Sequence, residues 1–289
     1  MEPCGRTYAS SPALTMTPSL LILTDFFQAA NRALDYATNL AGPLGARLVL
    51  LHVRRDSIID PEMFTGKLSN LDSEAIKMAL SSVANDLPVP VVVEVGHGRV
   101  AFAVADAVSR HQPLLVVLGR PDYSATPDEL VHTTALDILR TAPYPMLIVP
   151  HKVTSNTLPR RVLLAVDGED FTLGPHAGAM RHLLNTLGAE LTVLHVAPEA
   201  TAADSEHTIL DSVRRTGLSI DLPAPLRFRR PVAARPADGI LHAAQADDTD
   251  LVVVLARPRS FWGQLFHQSV TAEVLLHSPV PVLVLPTIA

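Results

Sequence analysis

The sequence predicts an α/β protein built from two copies of one unit. Short aliphatic runs alternate with segments of helical period, which is the pattern of βαβ units around a parallel sheet. Three pairs of segments correspond between the copies: Leu20–Asp25 with Val162–Asp167, Leu51–Val53 with Leu194–Val196, and Ala142–Pro150 with Ser278–Pro286. This self-similarity predicts two tandem domains of roughly 140 residues each.

In the first copy, five aliphatic runs predict five strands: Leu20–Leu23, Arg47–Val53, Val89–Val95, Leu114–Leu118 and Met146–Val149. The first helix is predicted to begin near Phe27 and to stop at Gly42-Pro43. Its apolar face is Ala30, Leu34, Ala37 and Ala41. A second helix carries Ile76, Leu80, Val83 and Leu87 after Asp72, which can cap it.

The second copy repeats this plan with the runs Val162–Val166, Glu190–Val196, Leu226–Val232, Leu251–Leu255 and Val282–Leu285. Its first helix is predicted to have Pro175 just inside the start and Gly188 at the end. The face of that helix is Ala177, Met180, Leu184 and Leu187.

Two features place strands within each sheet. The continuous runs Leu114–Leu118 and Leu251–Leu255 predict strands buried on both faces, at the sheet centres. Prolines bracket the last run of each copy, which is typical of outer strands. The predicted organisation is a disordered tail (1–17), a first domain (18–150), a linker (151–158) and a second domain (159–287).

Composition limits the classes of function. The 23 basic and 29 acidic residues give a net charge of −6, and no basic run exists to neutralise a phosphate backbone, so no nucleic-acid partner is expected. Cys4 is the only cysteine, which excludes a disulfide framework and fits a cytoplasmic setting. The chain has no apolar run of the roughly 20 residues that span a bilayer, so no membrane association is expected.

Three motifs occur in both copies: a first strand that ends in Asp25 or in Val166-Asp167-Gly168, the Leu-His-Val of the second strand, and the endings Leu139–Pro145 and Leu275–Pro281. In these motifs the chain resembles a tandem universal stress protein. The resemblance covers nearly the whole chain. It implies a five-stranded parallel sheet of order 3-2-1-4-5 in each copy, helices on both faces, and an intrachain pseudo-dimer paired through the fifth strands. A homodimer or an unknown protein partner is compatible with it.

The implied order places strands one and four side by side, and ligands of such folds bind beyond their carboxyl ends. The residues there are Asp25 and Gly119-Arg120 in the first copy, and Asp167 and Ala256-Arg257 in the second. ATP-binding members of the family have a loop resembling Gly-x-x-Gly, nine residues, then Gly-Ser or Gly-Thr. Glycines there let backbone N–H groups approach phosphate.

Both copies depart from this loop. The corresponding positions are Gly119, Asp122, His132 and Thr133 in the first copy, and Leu255, Pro258, Gln268 and Ser269 in the second. Asp122 would repel phosphate, and Pro258 has no N–H to donate. The candidate ligand-cleft residues are therefore Asp25, Gly119 and Thr133 in one copy, and Asp167, Arg257 and Ser269 in the other. No cofactor is predicted, although ATP or AMP stays open.

Each candidate cleft residue could also have a purely structural role. Arg257 and Arg259 could hold an anion or be solvated loop charges, and Asp25 and Asp167 could accept from a nucleotide or cap the first helices. Phe261, Trp262, Leu265 and Phe266 fit packing in the vacated cleft or against the partner domain better than base stacking.

No catalytic or metal-binding residues are predicted. His52 and His195 fit core or cleft histidines with a satisfied hydrogen bond, and His176 and His182 are six apart, which does not place them on one helix face as a metal pair. The expected function is a non-catalytic regulatory or protein-interaction module with weak or no ATP binding. The alternatives are a nucleotide-responsive switch in an altered second cleft and a slow ATPase.

Overall fold

The computed structural model describes residues 17–25, 28–54, 73–121, 129–153, 157–197, 206–245, 248–257 and 269–288. Its strands are β1 (Ser19–Leu23), β2 (Arg47–Arg54), β3 (Val91–His97), β4 (Leu115–Arg120), β5 (Met146–Pro150), β6 (Arg161–Ala165), β7 (Glu190–Leu194), β8 (Arg227–Arg229), β9 (Leu251–Ala256) and β10 (Val282–Pro286). Its helices are α1 (Gln28–Leu44), α2 (Ser73–Asn85), α3 (Val100–His111), α4 (Glu129–Thr141), α5 (Ala177–Leu187), α6 (Glu206–Arg215), α7 (Pro236–Gln245) and α8 (Val270–His277).

All ten strands form one sheet of order β3-β2-β1-β4-β5-β10-β9-β6-β7-β8. Strands run parallel within each copy, and β5 pairs with β10 antiparallel, with Leu147 opposite Leu283. The predicted α/β class is confirmed, and the copies meet through their fifth strands. The antiparallel contact turns the carboxyl ends of the two halves toward opposite edges of the sheet.

The proline-bracketed strands β5 and β10 are outermost in their own halves but innermost in the whole sheet. The carbonyl oxygens of Pro145 and Pro281 accept from Val116 and Val252 (both 3.0 Å), so the prolines still contribute acceptors at the strand starts. The strands β4 and β9, predicted at the sheet centres, are interior, but the middle strands of the two halves are β1 and β6.

Two apolar layers cover the sheet, and each continues across the boundary between the copies. On one face, Ala37 of α1 and Leu184 of α5 belong to the same cluster as Leu147 and Leu283 of the central strands. On the other face, the helices α3, α4, α7 and α8 contribute to a second shared cluster. Because both cores are common to the two copies, the pair is held by apolar burial as well as by strand pairing.

The end of α1 differs from the prediction. The helix continues past Gly42-Pro43 to Leu44, and Gly45, with φ +58, ends it. The Gly45 and Ala46 N–H groups donate to the carbonyls of Gly42 and Ala41, a Schellman motif that stops the helix. Gly188 and Ala189 end α5 in the same way, as predicted for Gly188.

Other predicted features have shifted limits or lie outside the described residues. The strand predicted over Leu226–Val232 is only Arg227–Arg229, since Pro231 has no N–H for the ladder, and Val232 makes an isolated bridge to Ala197. Asp72 and residues 1–16 are not among the described residues. None of the helices in the described ranges has the length and apolar character to cross a bilayer.

Candidate functional site

The sheet order places the two candidate clefts at opposite edges of the sheet. In the first copy β1 and β4 are neighbours, and in the second copy β6 and β9 are neighbours. Asp25 and Asp167 follow β1 and β6, as predicted. The contacts around these two aspartates differ between the copies.

In the second copy, the structure brings two predicted site residues, Asp167 and Arg257, into direct contact. Nε of Arg257 donates to Oδ2 of Asp167 (2.6 Å), and Nη2 donates to Oδ1 (2.7 Å). Nη1 and Nη2 also donate to the carbonyls of Asp170 and Glu169 (both 3.1 Å). All three guanidinium nitrogens of Arg257 therefore hold the β6–α5 loop. We call this set of contacts the Arg257 clamp.

The electrostatics of the clamp favour a full ion pair. Burial opposes ionisation of Asp167, but the hydrogen bonds and charge of Arg257 outweigh it and hold the pKa of Asp167 below its ordinary value. The hydrogen bond to Asp167 raises the pKa of Arg257. The Arg257 side chain is only 14% exposed, against 47% for Asp167. Arg257 is thus not a solvated loop charge, and four of its five N–H donors are already used within the protein.

The β6–α5 loop is fastened at further points. Phe171 and Leu173 are buried in the core, and Arg215 of α6 pairs with Asp170. The Ile288 N–H, near the end of the chain, donates to the Thr172 carbonyl (2.9 Å). The loop therefore packs as part of the second copy.

Asp167 does not cap the first helix of its copy. The helix α5 begins only at Ala177, after a 3₁₀ turn over Gly174–His176. The Asp167 carboxylate instead accepts from the N–H of Glu169 (3.2 Å) within its own loop. The capping interpretation is wrong for Asp167, because the longer loop carries the helix start away from the strand end.

In the first copy, α1 begins at Gln28, directly behind the strand end. A Cβ on Gly119 would lie 2.1 Å from the carbonyl oxygen of Ala29 and 2.8 Å from the amide nitrogen of Ala30. The first turn of α1 therefore packs on the end of β4, and only glycine fits between them. This packing explains the glycine without reference to phosphate. Asp25 is exposed at the same edge.

The remaining predicted site residues are placed less completely. Ser269 precedes α8 as its N-cap residue, and its hydroxyl makes no capping hydrogen bond. Thr133 lies on α4, with its side chain outside the described part. Outside it too are the predictions that concern Asp122, Pro258 and Arg259, and the aromatic and apolar group Phe261, Trp262, Leu265 and Phe266.

His52 and His195 each make the hydrogen bond that the core or cleft interpretation expects. Nδ1 of His52 donates to the Thr24 carbonyl (2.9 Å), and Nδ1 of His195 donates to the Val166 carbonyl (3.2 Å). Both rings are buried, and burial lowers the pKa of His52. Each histidine ties the second strand to the end of the first. In the described part of the chain, no three His, Cys, Asp or Glu side chains are grouped to hold a metal ion.

One contact was missed by the sequence reasoning. Arg120, at the end of β4, crosses to the second copy, where Nη1 and Nη2 donate to the carbonyls of Leu275 and Ser278 (both 2.6 Å). These carbonyls lie at the end of α8, where unpaired acceptors and the helix dipole favour a cation. The sequence did contain a signal. Arg120 is the sixth residue of β4, and the sixth residue of β9 is the uncharged Ala256, so the first copy has a charge here that the second copy lacks.

Comparisons with solved structures give the same fold. A universal stress protein from Archaeoglobus fulgidus superposes with a TM-score of 0.71 at 18% identity, over 93% of this chain and 98% of that chain. A functionally unknown protein from Pseudomonas aeruginosa PAO1 superposes with a TM-score of 0.59 at 22% identity, over 94% of this chain and 93% of that chain. A search of curated proteins found no significant match.

A sequence model of the universal stress protein family matches residues 16–150 and 229–286. The unmatched stretch between them includes the β6–α5 loop that the Arg257 clamp holds, together with the elements from β6 to α6. The matched segments make up more than half of the chain and include strands from both copies. The chain therefore belongs to the universal stress protein family.

Proposed function

We propose that this protein is a non-catalytic regulatory or protein-interaction module of the stress response, with weak or no affinity for ATP. The observation that carries the proposal is the Arg257 clamp. Asp167 occupies the position from which the second copy would accept hydrogen bonds from adenine or ribose. Its carboxylate already accepts two hydrogen bonds from a guanidinium.

A nucleotide at this position would have to exchange a charged donor for a neutral one. Charge-assisted hydrogen bonds are roughly twice as strong as neutral ones, so a ribose hydroxyl is a poor replacement for Arg257. Displacing Arg257 would also remove its hold on the carbonyls of Glu169 and Asp170. Both effects favour the closed loop over the bound nucleotide.

The first copy supports the proposal by a different argument. The glycine that remains there, Gly119, is required by the packing of α1 against β4. Asp122, which follows it in the sequence, would place a carboxylate beside phosphate, where like charges at about 4 Å cost about 1 kcal/mol in water and more when desolvated. A glycine retained for packing is no sign of a retained phosphate site.

The non-catalytic part of the proposal follows from the same residues. The cleft histidines His52 and His195 each use Nδ1 to donate to a backbone carbonyl, so that nitrogen is not free to act as a general base. We further propose that residues 18–150 and 159–287 are the two domains and that 151–158 connects them. Their rigid pairing would then present one composite surface to a protein partner.

Calorimetric titration of the full chain with Mg-ATP tests the proposal. We expect no saturable heat, in the wild type and in Asp25→Ala and Asp167→Ala variants alike. A dissociation constant in the low micromolar range that weakens at least tenfold in either variant would overturn it and favour a nucleotide-responsive switch. ATP turnover that disappears in Asp167→Ala would overturn the non-catalytic part.

A further inference from the structure

The carboxyl ends of β2 and β3 in the first copy bring basic residues together, one strand away from the β1–β4 cleft. Arg54, the last residue of β2, lies opposite His97, the last residue of β3. The N–H of Gly98 donates to the Arg54 carbonyl (2.8 Å), which fixes the two strand ends together. Arg99 follows directly and precedes α3.

Arg54 is a half-buried cation whose side chain has no hydrogen-bond or ion-pair partner among the described residues. Its Nε atom is fully buried and unsatisfied. Burial is the main cause of the lowered pKa of His52; the Thr24 hydrogen bond and the charge of Asp25 oppose it, and the charge of Arg54 adds to it. A desolvated guanidinium without an acceptor is costly, and a bound anion would remove that cost.

Arg99 is held in place without being neutralised. Its guanidinium lies over the ring of Phe102, 5.5 Å from the centroid, and Phe102 is 59% exposed. A guanidinium stacked on a ring uses its face and keeps its N–H donors in the plane for other acceptors. The exposed phenylalanine thus positions the arginine and leaves its charge available.

The second copy shows the opposite arrangement at the same place in the fold. Arg235, which precedes α7 as Arg99 precedes α3, lies near Asp238 three residues on (3.9 Å) and pairs with Glu273 of α8. Asp238 stands where the first copy has Phe102. In β7 and its continuation, Ala197 stands where the first copy has Arg54. The second copy neutralises one arginine and lacks the other.

We propose that Arg54 and Arg99 form a binding site for the phosphate group of a small molecule, present in the first copy alone. Two guanidinium groups offer the forked, charged donors that match phosphate oxygens. The protein carries a net charge of −6, so an extended polyanion would be repelled by most of its surface. A compact dianion needs to be attracted only by Arg54 and Arg99. The site lies at β2 and β3 and uses neither Asp25 nor Gly119.

Titration of the 15N-labelled full chain with inorganic phosphate, at ionic strength held constant with sodium chloride, tests this site. We expect saturable amide shifts centred on Gly98 and Arg99. The decisive variant is Phe102→Asp, which installs the residue of the second copy beside Arg99. Phe102 is exposed, so the fold should be kept, and phosphate affinity should fall about tenfold or more.

Arg235→Ala is the matched control, and its phosphate affinity should equal that of the wild type. An Arg54→Ala variant should lose saturable binding, and if it does not fold, Phe102→Asp still decides the question. Non-saturable shifts, or equal affinity in wild type and Phe102→Asp, would overturn the proposal. A nucleotide bound through Asp25 or Asp167 would survive Phe102→Asp, so this result is separate from the Mg-ATP titration.

Discussion

The two copies share strand order, core faces and helix-ending glycines, but they finish their first βα connection differently. In the first copy α1 begins at once and its first turn packs on Gly119. In the second copy a long loop precedes α5, and the Arg257 clamp fastens it. The counterpart of Gly119 is Leu255, which is partly buried and packs against the core. The comparison shows that the two copies keep the same fold although the connection after the first strand, beside the candidate ligand cleft, differs in length and contacts.

The largest effect is expected from Gly119→Ala. The new Cβ would overlap the backbone of Ala29, which cannot move without shifting α1, so we expect a loss of roughly 3 kcal/mol in the free energy of unfolding. Urea denaturation measures it. The control is Gly178→Ala in α5, where a Cβ meets nothing within 4 Å and a neutral or slightly stabilising effect is expected. Equal, small effects at both positions would remove the packing explanation for Gly119.

A smaller effect is expected at the contact between the copies. Arg120→Ala leaves the carbonyls of Leu275 and the buried Ser278 without their charged donor, so we expect a loss of about 2 kcal/mol. Arg120→Lys should recover about half of it, since the charge remains but the fork is lost. Arg214→Ala, which removes an exposed pair with Asp211, should change stability by less than about 0.5 kcal/mol.

The smallest effect concerns the Arg257 clamp. Arg257→Ala should lower the free energy of unfolding by about 1 kcal/mol at neutral pH, since Asp167 is half exposed and solvent screens the pair. Because Arg257 depresses the pKa of Asp167 in the folded state, this stabilisation is complete above the unfolded pKa of about 4 and is lost as pH falls through the folded value. Denaturation of wild type and variant from neutral pH to about pH 3 checks the convergence. A difference that grows on acidification would contradict it.

Most of the fold could be predicted because the sequence is duplicated, so each strand and helix is predicted from two corresponding segments. Gly188 marked the end of α5, and the same Gly-Ala ending at Gly45 stops α1, although Gly42-Pro43 was the stronger signal in a single copy. The fifth-strand prolines were interpreted correctly as outer in each half, yet only the pairing of β5 with β10 makes those strands the middle of the sheet.

The places of the candidate residues at the strand ends could be predicted from the sequence, but their side-chain contacts could not. Asp167 and Arg257 were both singled out, but their mutual contact depends on a loop conformation that has no local sequence signal. Arg120 was placed at the first cleft, whereas its side chain reaches the other copy. Contacts between residues far apart in the chain are set by packing, so residue type and position alone did not reveal them.

The Arg257 clamp closes the second copy, and the Hε proton of Arg257 reports on it directly. In 1H–15N spectra of the full chain at neutral pH, we expect a slowly exchanging Arg257 Nε–H signal that is lost in Asp167→Ala and stays unchanged when Mg-ATP is added. A signal that is absent from the wild type, or that moves saturably with Mg-ATP, would contradict the closed second copy.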